Sequence, residues 1–558
     1  MISESDLCLR VELPPRLAAA LSDMRSREEL TRKLRDEIGF LAEALGVQGG
    51  LAAEVALGPS PQRATEISSI RVRVGSTLCR FSRQQVSRVY ATTRDTAFVV
   101  ATDEEIADWL LKQAGNIVRF VALLAREAVS RDPAVLLGPT QVGRIAAEVG
   151  IASPQIERLA DVMREVLSLG VSVSELAALP NLVGLLNDPE LTAREAAEAL
   201  IPSLRPKTID IHLAPDALRE LTLSAGDEGR EQFVQLRSAL FNEIGLDAPD
   251  FRFKEDMTLA PNNFAFRINS VLGLPWTGLA AHEQLVNDSV QNIATIPGVK
   301  ARAAANPKTG EAIAIGSFPF PSNLETWNQF EYLLLCMSTE MRNLAPRLLD
   351  ETVVAGELDQ LSVHFPATVR IAEQRCSHPR LVHVLRALLA EGLPIRDLRS
   401  ILLALIDCDV VVTDPYYVVA DDRLPARQMP DGPPSTELLV AAARAAEKRR
   451  FALKYANGTW SLSALFLDPE LESEVRRRNE GNALLDDAGW CDRILDAVAA
   501  EAPAWGQRSN PTCLLTTYDL RDAIRGLIAP ELPHLDVLTY RDLARECSIS
   551  ATKRVALG

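Results

Sequence analysis

An internal repeat constrains the fold of this chain more than any other feature, because repeated patterns are the signature of repeated structural units. The segment LADVMREVLSLGVSVSEL, residues 159–176, aligns without a gap with LVHVLRALLAEGLPIRDL, residues 381–398. Gly170 falls opposite Gly392 in this alignment. Both segments place leucines and valines at helical spacing before the glycine.

Two further matches occur earlier in each half, in the same order. LTRKLRDEIGF, residues 30–40, matches LRSALFNEIGL, residues 236–246, which sets Gly39 opposite Gly245. LRVELPP and IDIHLAP both alternate like a short strand that ends near a proline. A single match between leucine-rich helices can arise by chance, whereas three ordered matches indicate a duplication.

The sequence therefore predicts an α+β multidomain protein with tandem modules. Each module is expected to contain a small α/β subdomain and a helical subdomain, and a C-terminal α/β subdomain follows. The predicted bounds are 1–200 for a shortened first module, 201–425 for a fuller second module (α/β part about 201–320, helical part about 321–425) and 436–558 for the C-terminal subdomain.

Local patterns predict several elements inside this frame. TIDIHL, FAFRINSVLG, CLLTT and LDVLTY have the composition of strands, the last two being joined by a helix in a βαβ unit. FALKYANGTWSL resembles a hairpin that turns at Asn457-Gly458. The proline-rich stretch RQMPDGPPS, residues 427–435, is the best linker.

Charge and cysteine usage restrict the class of protein. The balance of 59 Lys+Arg against 75 Asp+Glu gives a net charge of -16, which argues against nucleic acid as a partner. Eight cysteines show no CxxC pair and no disulfide spacing. The N-terminus lacks a signal-peptide pattern, and the apolar runs are interrupted by charges such as Arg119. We expect a cytoplasmic protein without membrane insertion.

Motifs of catalysis and cofactor binding are missing from the sequence. It contains no GxxxxGK[ST], GxGxxG, HExxH or GxSxG pattern, so we expect no catalytic residues and no cofactor. The one metal-like group, Cys376, His378 and His383 with His364 upstream, has no standard zinc spacing. We interpret these side chains as ordinary polar residues and expect no metal site.

Four stretches of the second half resemble one known family. They are ELDQLSVHFPATV, VLRALLAEGLPIRDLRSILLAL, LDPELE and CLLTTYDLRDAIRGLIAPELPHLDVLTYRDL. Their order is similar to the cytosolic domain of the FHIPEP family, the large export-gate subunit of flagellar and type III secretion systems. The resemblance covers about residues 204–558. The family's membrane region and its Phe-His-Ile-Pro-Glu-Pro signature are not present, so we expect no transmembrane gate.

The block Gly392, Pro394, Arg396 and Asp397 is predicted to form a corner between two helices. Glycine can end the first helix, and proline is compatible with the first turn of the next. Asp397 would then lie in that first turn, where a carboxylate suits the helix dipole, and Leu398 would be a core position. A catalytic Arg396–Asp397 pair is the rival interpretation, but no nucleophile accompanies it.

The segment GLPWTGL supplies the candidate partner site. Leu274, Trp276 and Leu279 are either core residues or, if exposed, an anchor for a protein partner. The resemblance implies a cleft beside this subdomain that receives chaperone–substrate complexes.

These observations lead to one main functional prediction. We expect a non-enzymatic scaffold that binds protein partners and forms a homo-oligomer through unlike modules of adjacent chains. Two alternatives remain open: a regulatory adaptor that reuses the fold in an unrelated bacterial system, and a hydrolase or transferase without a recognisable motif.

Overall fold

The computed structural model describes most of the chain. The described residues are 7–47, 51–57, 63, 65–153, 155–206, 208–225, 229–247, 249–317, 320–321, 323–408, 434–456, 460–481, 483–485, 487–506, 512–544 and 546–557. The chain divides into two compact units, Met1–Ser238 with Ala248–Leu348 and Trp505–Gln507, and Ala239–Asp247 with Leu349–Ala504 and Arg508–Gly558. Most of the predicted linker and the Asn457-Gly458 turn lie outside the described residues.

A small α/β subdomain opens the first unit. Its elements are β1 (Leu7–Leu13), α1 (Pro15–Ala20), α2 (Met24–Ala44), β2 (Leu51–Leu57), β3 (Arg71–Val74) and β4 (Thr77–Cys79). The sheet order is β2-β1-β3-β4; β1 and β2 are parallel, and the other neighbours are antiparallel. Alternation along β1 buries Leu9, Val11 and Leu13, while helical spacing on α2 buries Leu34 and Ile38. These side chains belong to one hydrophobic core.

The helical part of the first module follows. Its helices are α3 (Arg83–Thr93), α4 (Asp103–Leu110), α5 (Ala114–Arg131), α6 (Pro139–Val149), α7 (Gln155–Ser168), α8 (Leu182–Asn187) and α9 (Ala193–Leu204). The central helix α5 is buried along most of its length, from Ile117 to Ser130. It packs on α2, so one core joins the α/β and helical parts.

A second α/β subdomain begins at residue 208. Its elements are β5 (Thr208–Leu213), α10 (Pro215–Ala225), α11 (Gly229–Ile244), β6 (Asp250–Glu255), β7 (Asn263–Ile268), β8 (Val271–Leu272) and β9 (Trp276–Thr277). The sheet order is β6-β5-β7-β8, with β9 also pairing with β7. Strands β5 and β6 are parallel, and β5–β7 and β7–β8 are antiparallel. Connectivity and pairing thus match those of the first subdomain.

The remaining elements of the first unit are a third sheet and three helices. They are β10 (Glu283–Val286), α12 (Val290–Ile293), β11 (Ala301–Ala305), β12 (Ala312–Ser317), β13 (Thr326–Trp327), α13 (Gln329–Asn343) and α14 (Ala345–Leu348). The sheet order is β11-β12-β10-β13, with every pairing antiparallel.

The second unit begins with helices and ends in a parallel sheet. Its elements are α15 (Glu351–His364), α16 (Pro366–Arg375), α17 (His378–Ala390), α18 (Leu398–Ile406), α19 (Thr436–Ala446), α20 (Lys448–Ala456), β14 (Ser461–Leu467), α21 (Pro469–Glu480), α22 (Ala488–Glu501), β15 (Thr512–Thr516), α23 (Tyr518–Ile528), β16 (Val537–Thr539) and β17 (Ser548–Val555). All pairings in the order β16-β15-β14-β17 are parallel. The predicted βαβ unit is present as β15, α23 and β16.

The hairpin predicted from FALKYANGTWSL is wrong. Residues 448–456 form α20 instead, and Phe451 and Tyr455, four positions apart, are both buried. That spacing places the two rings on one face of a helix. The following strand β14 pairs only in parallel with β15 and β17 among the described residues.

The repeat register predicted at Gly39 is also wrong. Gly39 lies inside α2, whereas Gly245 directly follows α11 with a φ of +77°. The glycine in the corresponding place after α2 is Gly46, with a φ of +71°. Glycine adopts this left-handed conformation without the penalty that a Cβ brings, which is why both helices end there.

Candidate protein-docking site

The predicted docking residues Leu274, Trp276 and Leu279 lie in the core. Their exposed fractions are 3 %, 3 % and 2 %. Trp276 lies on β9, opposite Phe264 of β7, and its ring is 5.8 Å from that of Phe98 in the first module. The burial supports the core interpretation, since an anchor for a partner needs an accessible surface.

Helix α3 of the first module covers this segment. The guanidinium carbon of Arg88 lies 3.2 Å from the centroid of the Trp276 ring, and its Nη2 donates to the Leu274 carbonyl at 2.6 Å. Thr92 Oγ1 donates to the Pro275 carbonyl at 3.1 Å. Burial lowers the pKa of Arg88 to about 10, although the carboxylate of Glu340, 3.8 Å away, favours the charged form.

More ion pairs extend this contact between the modules. Arg131 lies 2.8 Å from Glu127 and 3.8 Å from Glu340, and Arg347 Nη2 donates to the Arg131 carbonyl at 2.7 Å. Burial opposes the ionisation of Glu127, but Arg131 and Arg88 outweigh it, and the pKa of Glu127 lies below its ordinary value. Burying paired charges is tolerated where every partner is present.

The corner between α17 and α18 differs in detail from the prediction. Gly392 follows α17 with a φ of +70°, as expected. Pro394 does not begin the next helix, because α18 starts only at Leu398, with Asp397 as its N-cap. The carboxylate of Asp397 accepts bonds from the Ser400 backbone N–H at 3.1 Å and from its hydroxyl at 2.6 Å. The side-chain cap from Asp397, and not the proline at residue 394, therefore determines where α18 starts.

One other expectation at the corner changes as a result. Leu398 is the first residue of α18 and only half-buried, so it is not the core position; Ile401, Leu402 and Leu405 are. The side chain of Arg396 is exposed.

The extended corner segment docks on the end of α11. The Ile395 backbone N–H donates to the Ile244 carbonyl at 2.9 Å, and a Cβ on Gly245 would overlap the Arg396 backbone. Close backbone approach is a second reason for glycine at this position.

The first module contains the same arrangement. The Val173 backbone N–H donates to the Leu45 carbonyl at 3.0 Å, and a Cβ on Gly46 would overlap the Ser174 backbone. Gly170 has a φ of +70°, the same as Gly392.

The metal-like residues of the sequence are engaged elsewhere. The Cys376 side chain is buried, with its Sγ 3.7 Å from the Ser377 carbonyl, and His378 Nε2 is 2.9 Å from Glu373 Oε1. Across the described residues, no three His, Cys, Asp or Glu side chains form a possible metal-binding group.

A cavity of about 240 Å³ lies in the second unit, between α17, α19, α23 and the end of β16. Its polar wall is an ion network in which Glu391 contacts Arg444 and Arg521 and Arg444 lies 3.2 Å from Asp542. These carboxylates are already paired with guanidinium groups, which gives the network a structural role in joining helices.

Large apolar side chains are exposed on the helices before and after the corner. Val363, Phe365, Ile371 and Leu403 have exposed fractions of 75 %, 37 %, 39 % and 37 %. They lie on or beside α15, α16 and α18. Helix α16 packs against both α15 and α18, and the guanidinium carbon of Arg399 lies 4.3 Å from the centroid of the Phe365 ring. Exposed apolar side chains grouped in this way mark interaction surfaces.

Comparison with known families identifies the chain's relationship. A model described as FHIPEP family matches residues 185–548, well over half of the chain. The chain belongs to the FHIPEP family. Residues before 185 lie outside that match.

Curated relatives include a low calcium response protein, an invasion protein and a flagellar biosynthesis protein. Low calcium response locus protein D of Yersinia pestis is 22 % identical over 66 % of this chain and 49 % of its own length. The Invasion protein InvA of Salmonella typhimurium is 22 % identical over 67 % and 50 %, and the Flagellar biosynthesis protein FlhA of Bacillus subtilis 20 % over 66 % and 52 %. The chain thus spans about half the length of the curated relatives it matches.

A solved structure shows the same fold. The Chlamydia pneumoniae CdsV protein aligns with a TM-score of 0.50 and 21 % identity, covering 62 % of this chain and 97 % of CdsV. CdsV is also known in a complex with CdsO. Among the described residues of our chain, none of the helices is long and apolar enough to cross a bilayer.

Proposed function

We propose that this FHIPEP-family chain is a non-enzymatic, cytoplasmic scaffold that binds protein partners of a secretion-like system. Its similarity to export-gate proteins and the complex of the related CdsV with CdsO support this proposal. A chaperone–substrate complex is the class of partner that the family relationship favours.

The observation that carries the proposal is the exposed apolar surface of the helical part. Val363 at 75 % and Phe365 at 37 % exposed lie in the ELDQLSVHFPATV stretch. Leu274, Trp276 and Leu279 do not belong to this surface, because all three are buried and Arg88 stacks on the Trp276 ring. We therefore place the docking surface on α15, α16 and α18, with Val363 at its most accessible point.

The test is capture of partners from the native host by the full chain, read by mass spectrometry. Val363→Asp is expected to lose captured proteins, because a carboxylate desolvated in an apolar contact is costly. Met24→Asp is the matched control, since Met24 is equally exposed at 75 % but lies in the first module. Equal capture by both variants would contradict the docking surface, and capture of regulators without secretion components would favour the adaptor alternative.

We also propose that residues 1–200 and 201–425 arose by duplication. The shared strand order of the two α/β subdomains supports this, as do the equivalent glycines Gly46 and Gly245. The strongest support is the repeated corner contact, where Val173 and Ile395 donate to the carbonyl at the end of the long helix. Superposition in an experimental structure should bring the corners at Gly170 and Gly392 together.

A further inference from the structure

The cavity of the second unit has an apolar wall of small side chains. Its volume is about 240 Å³, far more than the roughly 10–15 Å³ that one water molecule requires. Ala441 and Ala445, four positions apart on α19, line it together with Val440 and with Ala387 of α17. Side chains this small leave space that larger ones would fill, so the wall can receive the apolar body of another molecule.

Four charged side chains form the polar wall of the cavity. Arg444, Arg521 and Asp542 are 3 %, 7 % and 5 % exposed, and Glu391 is half-buried. Glu391 Oε2 contacts the guanidinium groups of Arg444 and Arg521, and Asp542 Oδ2 lies 3.2 Å from Arg444 Nη2. Two cations face two anions, so their charges cancel. Because a net charge is costly to bury, this wall suits an uncharged molecule.

Each of the two carboxylates has a second oxygen that the protein does not use. Asp542 Oδ2 accepts bonds from the Thr539 N–H at 2.8 Å, from Thr539 Oγ1 at 2.9 Å and from Arg444 Nη2. Among the described residues, no group donates to Asp542 Oδ1 or to Glu391 Oε1. Both oxygens remain accessible and are not sealed in the interior. A molecule in the cavity satisfies them only if it carries N–H or O–H donors.

The guanidinium group of Arg444 holds the two carboxylates side by side. Its Nη1 contacts Glu391 and its Nη2 contacts Asp542. One group with two donors therefore suits both open oxygens. The NH₂ of a primary carboxamide provides two N–H donors on a single atom and carries no charge.

The mouth of the cavity is open to solvent and is also balanced in charge. Glu437, Tyr518 and Asp522 line the cavity and are exposed. The guanidinium carbon of Arg541 lies 4.4 Å from the centroid of the Tyr518 ring. Arg541 and Lys448 supply two cations, and Glu437 and Asp522 supply two carboxylates. An uncharged molecule can thus enter without the mouth favouring ions of either sign.

We propose that this cavity binds a small uncharged organic molecule with a primary carboxamide and an apolar body. The NH₂ group donates to Asp542 Oδ1 and Glu391 Oε1, and the apolar body lies on Ala441 and Ala445. The residues of this site lie outside α15, α16 and α18, so the proposal goes beyond protein docking and does not depend on it.

The test compares compounds that share one ring and differ in charge or donors. Benzamide should give saturable binding to the full chain in a titration followed by saturation-transfer NMR. N,N-dimethylbenzamide is also uncharged but has no N–H donor, so it should bind at least about tenfold more weakly. Benzoate and benzylammonium carry a charge and should also bind more weakly than benzamide. Equal binding of N,N-dimethylbenzamide, tighter binding of either ion, or no binding of benzamide would overturn the proposal.

A pair of variants then places the binding in the cavity. Ala445→Leu fills part of the apolar wall and should weaken benzamide binding at least about tenfold. Ala446→Leu is the matched control, because Ala446 is the next residue of α19, is exposed and does not line the cavity. Thermal melts show whether both variants are folded. The comparison of compounds on the unaltered chain does not depend on either variant. Equal benzamide binding by two folded variants would place the compound elsewhere and overturn the proposal.

Discussion

Arg88 is the residue that holds the Trp276 segment in a contact inside the chain. It stacks on the Trp276 ring, donates to the Leu274 carbonyl and faces Glu340, all from a helix of the first module. An exposed tryptophan flanked by leucines resembles a docking anchor in sequence. With a guanidinium fixed on one side and Phe98 on another, the same residues form the centre of a contact inside the chain.

Replacing Arg88 should destabilise the protein strongly. We expect Arg88→Ala to lower the free energy of unfolding by about 3–5 kcal/mol, because the buried Arg88 side chain is removed and the half-buried Glu340 loses one of its two cations. The measurement is chemical denaturation of the full chain. Arg94→Ala is the control, since Arg94 is exposed at the end of α3 and should change stability by less than about 1 kcal/mol. Similar losses of stability for Arg88→Ala and Arg94→Ala would contradict the central role of Arg88 in this contact.

His534 predicts a pH dependence of stability. Burial lowers the pKa of His534 below its ordinary value of 6.5, although its Nε2 donates to the Pro503 carbonyl at 3.1 Å, which favours the charged ring. The folded protein therefore holds a neutral ring where the unfolded chain takes up a proton. The stabilisation is complete above the unfolded pKa and decreases as the pH falls below it.

Thermal melts between about pH 7 and about pH 5 should measure this effect. His534→Gln removes the titrating group, so its stability should fall less steeply with acid than that of the unaltered chain. His282→Gln is the control, because His282 is exposed, and it should keep the original slope. Parallel slopes for all three proteins would show that His534 does not titrate differently on folding.

At the scale of elements, the sequence predicts what local signals determine. The strands TIDIHL and CLLTT and the glycine after α17 were predictable, because alternation and a left-handed helix end are properties of a few neighbouring residues. The start of α18 could not be predicted in this way, because the hydrogen bond from Ile395 to the Ile244 carbonyl holds the residues before α18 in an extended conformation. The burial of Trp276 could not be predicted either, because it depends on α3, a helix far from Trp276 in the sequence.

The helix-ending glycines provide a test of the repeat proposed above, in which Gly46 and not Gly39 corresponds to Gly245. Gly46→Ala and Gly245→Ala should each cost more than about 2 kcal/mol, since both residues have a positive φ and a Cβ there would overlap the corner backbone. Gly39→Ala should instead stabilise the protein by about 0.5–1 kcal/mol, because Gly39 lies inside α2 with open space around it. Urea denaturation of the three variants measures the difference. A loss of stability for Gly39→Ala as large as that for Gly46→Ala would contradict the correspondence of Gly46 with Gly245.

For the whole molecule, the two compact units do not follow the predicted module boundaries. The first unit contains the first module and most of the α/β subdomain of the second, while the helices from α15 onward belong to the second unit. The reason is the contact centred on Arg88, Arg131 and Arg347, which joins the first module to the second α/β subdomain. Sequence similarity indicates which segments resemble one another, whereas contacts determine which segments pack into one compact unit.

The net charge of the molecule makes the self-association sensitive to salt in a definite direction. The chain carries a charge of -16, so its copies repel one another. A homo-oligomer of this chain has to form against that repulsion, which screening by salt weakens. Raising the salt from about 10 mM to about 150 mM shortens the Debye length from roughly 30 Å to roughly 8 Å. Sedimentation velocity of the full chain should therefore show more association at the higher salt, and a decrease would indicate that ion pairs hold the copies together.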